Sequence, residues 1–141
     1  MEKSTNELLE ILKSKKTYQE FLDQEIGELV FSSLSEYLEM LINEKSLKKS
    51  DIILRSNLDK NYAYQIFNGN KTNPSRNKIL MLAFGMGLSL NETRKLLKIA
   101  SQSDLYVRSP RDSLIMYCLN NNISLITCNE YLSDFNFELL E

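Results

Sequence analysis

Apolar residues recur along this chain every three or four positions, broken at short intervals by polar residues. That spacing lines side chains along one face of a helix, and no stretch sustains the alternation of a half-buried strand. Leu8, Leu9, Ile11 and Leu12 mark a first amphipathic segment, and Tyr18, Phe21, Leu22, Ile26, Leu29 and Val30 a second. Leu34, Leu38, Leu41 and Ile42 form a third stripe, and Ile79, Leu80, Leu82 and Ala83 another. The pattern predicts helices over about 4–14, 17–29, 33–45, 49–56, 60–68, 75–86, 89–100, 110–121 and 124–134, with the stripes as core.

Start signals agree with that spacing. Ser4-x-x-Glu7, Thr17-x-x-Glu20, Ser33-x-x-Glu36 and Ser89-x-x-Glu92 all fit the capping box, in which a hydroxyl accepts from an orphan N–H and the Glu reaches back. The only prolines are Pro74 and Pro110, and the only glycines Gly27, Gly69, Gly85 and Gly87. An all-α fold is expected.

A repeat appears at an offset of 35. "SRNKILMLAFGMGLSLNETRKLLKIA" (75–100) lies over "PRDSLIMYCLNNNISLITCNEYLSDF" (110–135). Arg76 matches Arg111, Ser89 matches Ser124 and Leu97 matches Leu132, while Asn77 pairs conservatively with Asp112. Each copy predicts a helix, a tight turn ("GMG" or "NNN", residue types that tolerate positive φ) and a capped second helix. One helix pair cannot bury both its apolar faces, so the second copy is expected to extend the core of the first.

The stretch "SDIILRSNLDKNYAYQIFNGNKTNPSR" (50–76) stands out. Ser50 is expected to cap a two-turn helix carrying Ile52 and Ile53. Asn57 sits where that helix must turn sharply, since Asn accepts the left-handed conformation better than most residues. Leu58 plugs the turn and Asp59 caps "KNYAYQIF". Ala63, Ile66 and Phe67 then share an inner face, leaving Lys60, Asn61, Tyr62 and Gln65 outward, and Gly69 ends the helix.

Charge sharpens the interest in this stretch. The formal net charge is −2, but residues 48–78 carry seven bases (Lys48, Lys49, Arg55, Lys60, Lys71, Arg76, Lys78) against Asp51 and Asp59. Residues 1–47 carry ten acids against five bases. A basic block in an acidic chain points to an anionic partner for that block alone, or to a solvated surface that happens to be basic.

The rest of the composition mainly excludes. With 43% hydrophobic and 26% charged residues the chain suits a soluble globular protein, and no apolar run nears the roughly 18 residues of a membrane span. The acidic, amphipathic start is unlike a secretory signal, so a cytoplasmic address is expected. There is no His, and the two cysteines, Cys118 and Cys128, fall in apolar helical patterns that suit reduced core thiols. No phosphate-binding loop, nucleophilic triad or metal motif is present; no cofactor, metal or catalytic residue is expected, and the chain is not expected to be an enzyme.

Residues 50–76 resemble the helix-turn-helix of the XRE family, the lambda-repressor-like DNA-binding domains. The elements that carry the likeness are Ser50–Ser56, the turn at Asn57, Lys60–Phe67, Gly69, and the loop closing in Asn73-Pro74-Ser75. With "GMGLSLNET" between two further helices, the resemblance covers about residues 34–100. It implies a five-helix core at 34–101; the apolar pattern adds amphipathic helices at 1–33, and the repeat adds a C-terminal helix pair at 102–141 expected to pack on that core. The resemblance also implies a sequence-specific transcriptional regulator that places Lys60–Phe67 in the major groove of double-stranded DNA. Lys60, Asn61, Tyr62 and Gln65 would then read base edges, and Lys49, Tyr64, Asn70, Lys71, Asn73 and Arg76 would hold the backbone. A homodimer is expected, because a lone motif of this size gains from two half-sites. The residues alone leave open an ordinary solvated helix face and, on the same fold, a protein-interaction adaptor whose partner meets the acidic flanking helices. Nothing resembles a small-molecule sensor domain.

Overall fold

A computed structural model of the chain describes residues 3–14 and 33–141. The described residues form eight α-helices and no strand: α1 (Thr5–Ser14), α2 (Leu34–Glu44), α3 (Lys49–Ser56), α4 (Lys60–Phe67), α5 (Arg76–Met86), α6 (Leu90–Ile99), α7 (Pro110–Asn120) and α8 (Leu125–Asp134). The fold is all-α. The helix expected over 17–29, with its Thr17 cap, lies outside the described residues. The chain divides into two units, Met1–Phe31 and Ser32–Glu141. In the first, α1 opens as its cap predicts, with Ser4 Oγ accepting from the Glu7 N–H at 3.1 Å.

In the second unit α5 is the axis. Every residue from Ile79 to Met86 is buried, because a helix apolar all round must be enclosed on every side. Helices α3, α6 and α8 pack directly against it. Helix α2 buries Leu34, Tyr37, Leu38, Leu41 and Ile42 against α4 and α6.

Helices α3 and α5 approach closely at Gly85. A Cβ there would stand 2.6 Å from the Ile52 carbonyl oxygen and 2.7 Å from Ser56 Cβ, so only glycine lets α3 and α5 approach this far. The expected "GMG" turn is therefore corrected. Gly85 belongs to the helix, and the turn belongs to Gly87 alone, at φ 65°.

The Ser50 cap is also corrected. Lys48 is the N-cap residue and offers no side-chain bond; its carbonyl accepts from the N–H groups of Asp51 and Ile52 at 3.1 Å. The last turn of α2 sets this register. Leu47 N–H donates to the Ile42 carbonyl across a left-handed Ser46, delivering Lys48 to the helix start and Ile52 to the core.

Among the described residues three helix pairs turn on the same corner: a left-handed residue, an apolar plug and a capping side chain. These are Asn57-Leu58-Asp59, Gly87-Leu88-Ser89 and Asn122-Ile123-Ser124. Each cap accepts from the N–H three residues on, in Tyr62, Glu92 and Thr127. In the last two corners the plug N–H donates at 3.0 Å to the carbonyl five residues back, in Ala83 and Cys118.

The 35-residue offset extends past the helices. Gln102 N–H donates to Leu97 O at 2.9 Å behind a left-handed Ser101, and Phe137 N–H donates to Leu132 O at 2.8 Å behind a left-handed Asn136. Leu105 and Leu140, again 35 apart, are both buried. Helix α7 packs on α6 and α8 on α5, so the second copy does extend the core of the first. Cys118 and Cys128 are free and buried, and burial pushes both thiols above their ordinary pKa.

Candidate nucleic-acid interface

Helix α4 is anchored by one side. Ala63, Ile66 and Phe67 are almost wholly buried, and the Tyr64 ring meets Phe67 edge-on with centroids 6.3 Å apart. The opposite side presents Lys60, Asn61 and Gln65 together, all exposed. Asn61 and Gln65 are one turn apart and so adjacent on the surface.

Asp59 places a carboxylate at the start of this face. Its Oδ2 accepts from the Tyr62 N–H at 3.0 Å, which commits it to the helix end and complements the dipole there. Tyr62 is half-buried, and that burial raises its phenol above the ordinary pKa, keeping it a neutral donor and acceptor. Tyr64 sits at the margin, about one-third exposed.

The loop after α4 is held by its own backbone. Asn70 N–H donates to Asn68 Oδ1 at 3.0 Å, and Lys71 N–H donates to the Gln65 carbonyl at 2.9 Å. Gly69 adopts φ 87°, and a Cβ there would come within 3.2 Å of Ser35 Oγ. Asn70, Lys71 and Asn73 emerge exposed, while Pro74 is buried and its carbonyl accepts from Gln102 Nε2 at 2.9 Å. The structure thus gathers Lys60, Asn61, Gln65, Asn70, Lys71 and Asn73 on exposed positions of α4 and the loop tied to its last turn.

Two cations of the expected set are engaged elsewhere. Lys49 Nζ lies 2.7 Å from Glu39 Oε1 and 5.7 Å above the Phe67 ring centroid. This half-exposed pair is weak, and its side chain can exchange partners. Arg76 is a correction. Its Nη1 and Nη2 grip both carboxylate oxygens of Asp112 at 3.1 and 2.8 Å. Its Nε and Nη2 also donate to the carbonyls of Ser103 and Asp104 at 3.0 Å. Four of its five N–H donors are spent on these contacts and Asp112 compensates its charge, so Arg76 acts as a structural staple.

Among the described residues no group of three or more His, Cys, Asp or Glu is placed to hold a metal, and no helix is long and apolar enough to cross a membrane. Sequence reasoning missed a groove between α3, α5 and the α7–α8 corner. Its one advance sign is apolar residues out of register, Leu54 and Ile126, which stand 81% and 71% exposed. Comparison with family models, with curated proteins and with solved structures gives no match.

Proposed function

We propose that α3 and α4 form a helix-turn-helix of the lambda-repressor-like type and that the chain is a sequence-specific DNA-binding regulator. The observation that carries this reading is the shared exposure of Lys60, Asn61 and Gln65 on the outer face of a helix whose inner face is locked into the core. Lys donates to guanine, and Asn or Gln pairs with adenine through two hydrogen bonds, so these types in one patch suit base edges in a major groove. Tyr62 would border that contact. Lys71, Asn70 and Asn73, with Lys49 and Tyr64, would hold phosphates and fix the register. Arg76 has no part in it.

The test is selection of bound duplexes from a random pool by the full chain, followed by affinity measured across salt concentrations. The expected result is an enriched motif and a log–log salt slope of several units. A motif with two-fold symmetry would report a dimer. No enrichment together with a flat salt response would reject the reading.

A second reading is an adaptor that keeps the fold without the DNA contact. It is favoured by the Lys49–Glu39 and Arg76–Asp112 pairs, which neutralise two of the seven bases in the block. It predicts no salt-dependent binding to any duplex and a protein partner that co-purifies.

A further inference from the structure

The corner ends of the second unit enclose a groove of about 540 Å³. It opens where the C-terminal ends of α3 and α5 meet the α7–α8 corner. Its size falls within the roughly 300–1,000 Å³ of small-ligand sites. The wall is mainly apolar: Phe84 and Leu88 from α5 and its corner, with the exposed Leu54 and Ile126 on the facing elements.

The only formal charge on the described wall is positive. Among the described lining residues Arg55 alone is charged, and no acid is present. Arg55 is exposed and has no ion pair or side-chain hydrogen bond among the described residues. Arg55 sits in the last turn of its own helix, where the dipole favours a cation, but no carbonyl there accepts a side-chain bond from it. The carbonyls of Leu54, Ala83 and Phe84 accept from Asn57, Leu88 and Gly87 within their own corners. The first turn of α8, which also borders the groove, has no acidic side chain.

An apolar trough with a single unmatched cation complements a molecule with the opposite layout. We propose that this groove binds a single-chain amphiphile with one anionic head, of the medium-chain carboxylate class. The chain lies between the exposed Leu54 and Ile126, over the floor made by Phe84 and Leu88, and the carboxylate meets the Arg55 guanidinium, which suits two parallel N–H···O bonds. This site is separate from the outer face of α4, and its test uses no nucleic acid, so it stands or fails independently of the DNA reading.

Calorimetric titration of the full chain with decanoate, below its micelle concentration, is expected to show saturable binding of one ligand per chain. Loss of a charged hydrogen bond should make decanol and decyltrimethylammonium weaker by about tenfold or more. Arg55→Gln and Ile126→Glu should each weaken decanoate by a similar factor, the first by removing the cation and the second by adding a like charge. Both side chains are exposed, so circular dichroism and the melting temperature should match the parent chain. Absence of saturable decanoate binding, equal binding of decanol, or undiminished affinity in either folded variant overturns the proposal.

Discussion

Arg76 and Arg111 stand 35 positions apart and make the same hold on the chain. Arg76 Nε donates to the carbonyl of Ser103 and Arg111 Nε to that of Glu138, 27 residues ahead in each case. An Nη2 in each reaches the next carbonyl, in Asp104 and Leu139. The two also cross. Arg76 grips Asp112, the neighbour of Arg111, while Arg111 Nη2 donates to the side chain of Asn77, the neighbour of Arg76, at 3.1 Å. The pair clips the two copies of the repeat together at the starts of α5 and α7.

The two halves of this clip differ in burial and charge, and so should differ in cost. Asp112 is 7% exposed and also accepts from the Tyr106 N–H at 3.0 Å. Asp112→Ala leaves Arg76 without its counter-ion and should cost about 3 kcal/mol. The partners of Arg111 are neutral, so Arg111→Ala should cost about 1 kcal/mol. Urea unfolding of the full chain ranks them; equal costs would show that the ion pair adds nothing beyond the carbonyl contacts.

Gly85 and Gly87 are expected to resist substitution for different reasons. Gly85→Ala forces a methyl group against backbone and should cost about 2 kcal/mol or more by overpacking. Gly87→Ala meets open space, and its penalty of about 1 kcal/mol comes from the left-handed backbone. Gly87→Asn should recover much of that loss, since the equivalent corners use Asn57 and Asn122 at φ 55°. Gly85→Asn should be worse than Gly85→Ala. Thermal melts of the four variants give the order.

Glu92 makes stability fall in acid. Burial raises its pKa, but the Ser89 N–H and the Lys45 ammonium, 3.0 Å away, outweigh this and leave it lowered. A carboxyl with a depressed folded value stabilises above its unfolded pKa, and that contribution fades as pH falls through the folded value. The melting temperature of the parent chain should therefore exceed that of Glu92→Gln near neutrality, and the gap should close below about pH 4. A gap independent of pH would assign the effect to the capping geometry alone.

The proposed reading of duplexes separates two side chains. Gln65→Ala should relax preference at one base position by about 1–3 kcal/mol. Lys71→Ala should weaken all duplexes alike and lower the salt slope by about one unit. Competition assays at several salt concentrations distinguish the two, and an unchanged preference in the first would remove Gln65 from the base-reading set.

What could be read ahead of the structure was local. Asn57 as a left-handed corner, Asp59 as a cap and the Ser89–Glu92 capping box follow from chemistry spanning three or four residues, and the structure has each of them. What could not be read depended on distant partners. Gly85 carries a turn-like signal in sequence, but its position is decided by Ser56 on another helix. Helix α5 shows a stripe by pattern and is buried all round, because three helices close over it. Arg76 looks like one more cation beside a basic loop; only Asp112, 36 residues on, shows where its charge is spent. The offset-35 match of Arg76 with Arg111 and Asn77 with Asp112 already held that relation in outline. The outer face of α4 was legible because exposure there is simply the complement of a strong apolar stripe.

The thrice-used corner separates what builds the scaffold from what it displays. Its geometry rests on three successive positions, and none of them is Lys60, Asn61 or Gln65. The outward side chains of α4 can therefore be exchanged while the hairpin beneath keeps its shape, so the character of this surface can change one side chain at a time without disturbing the fold.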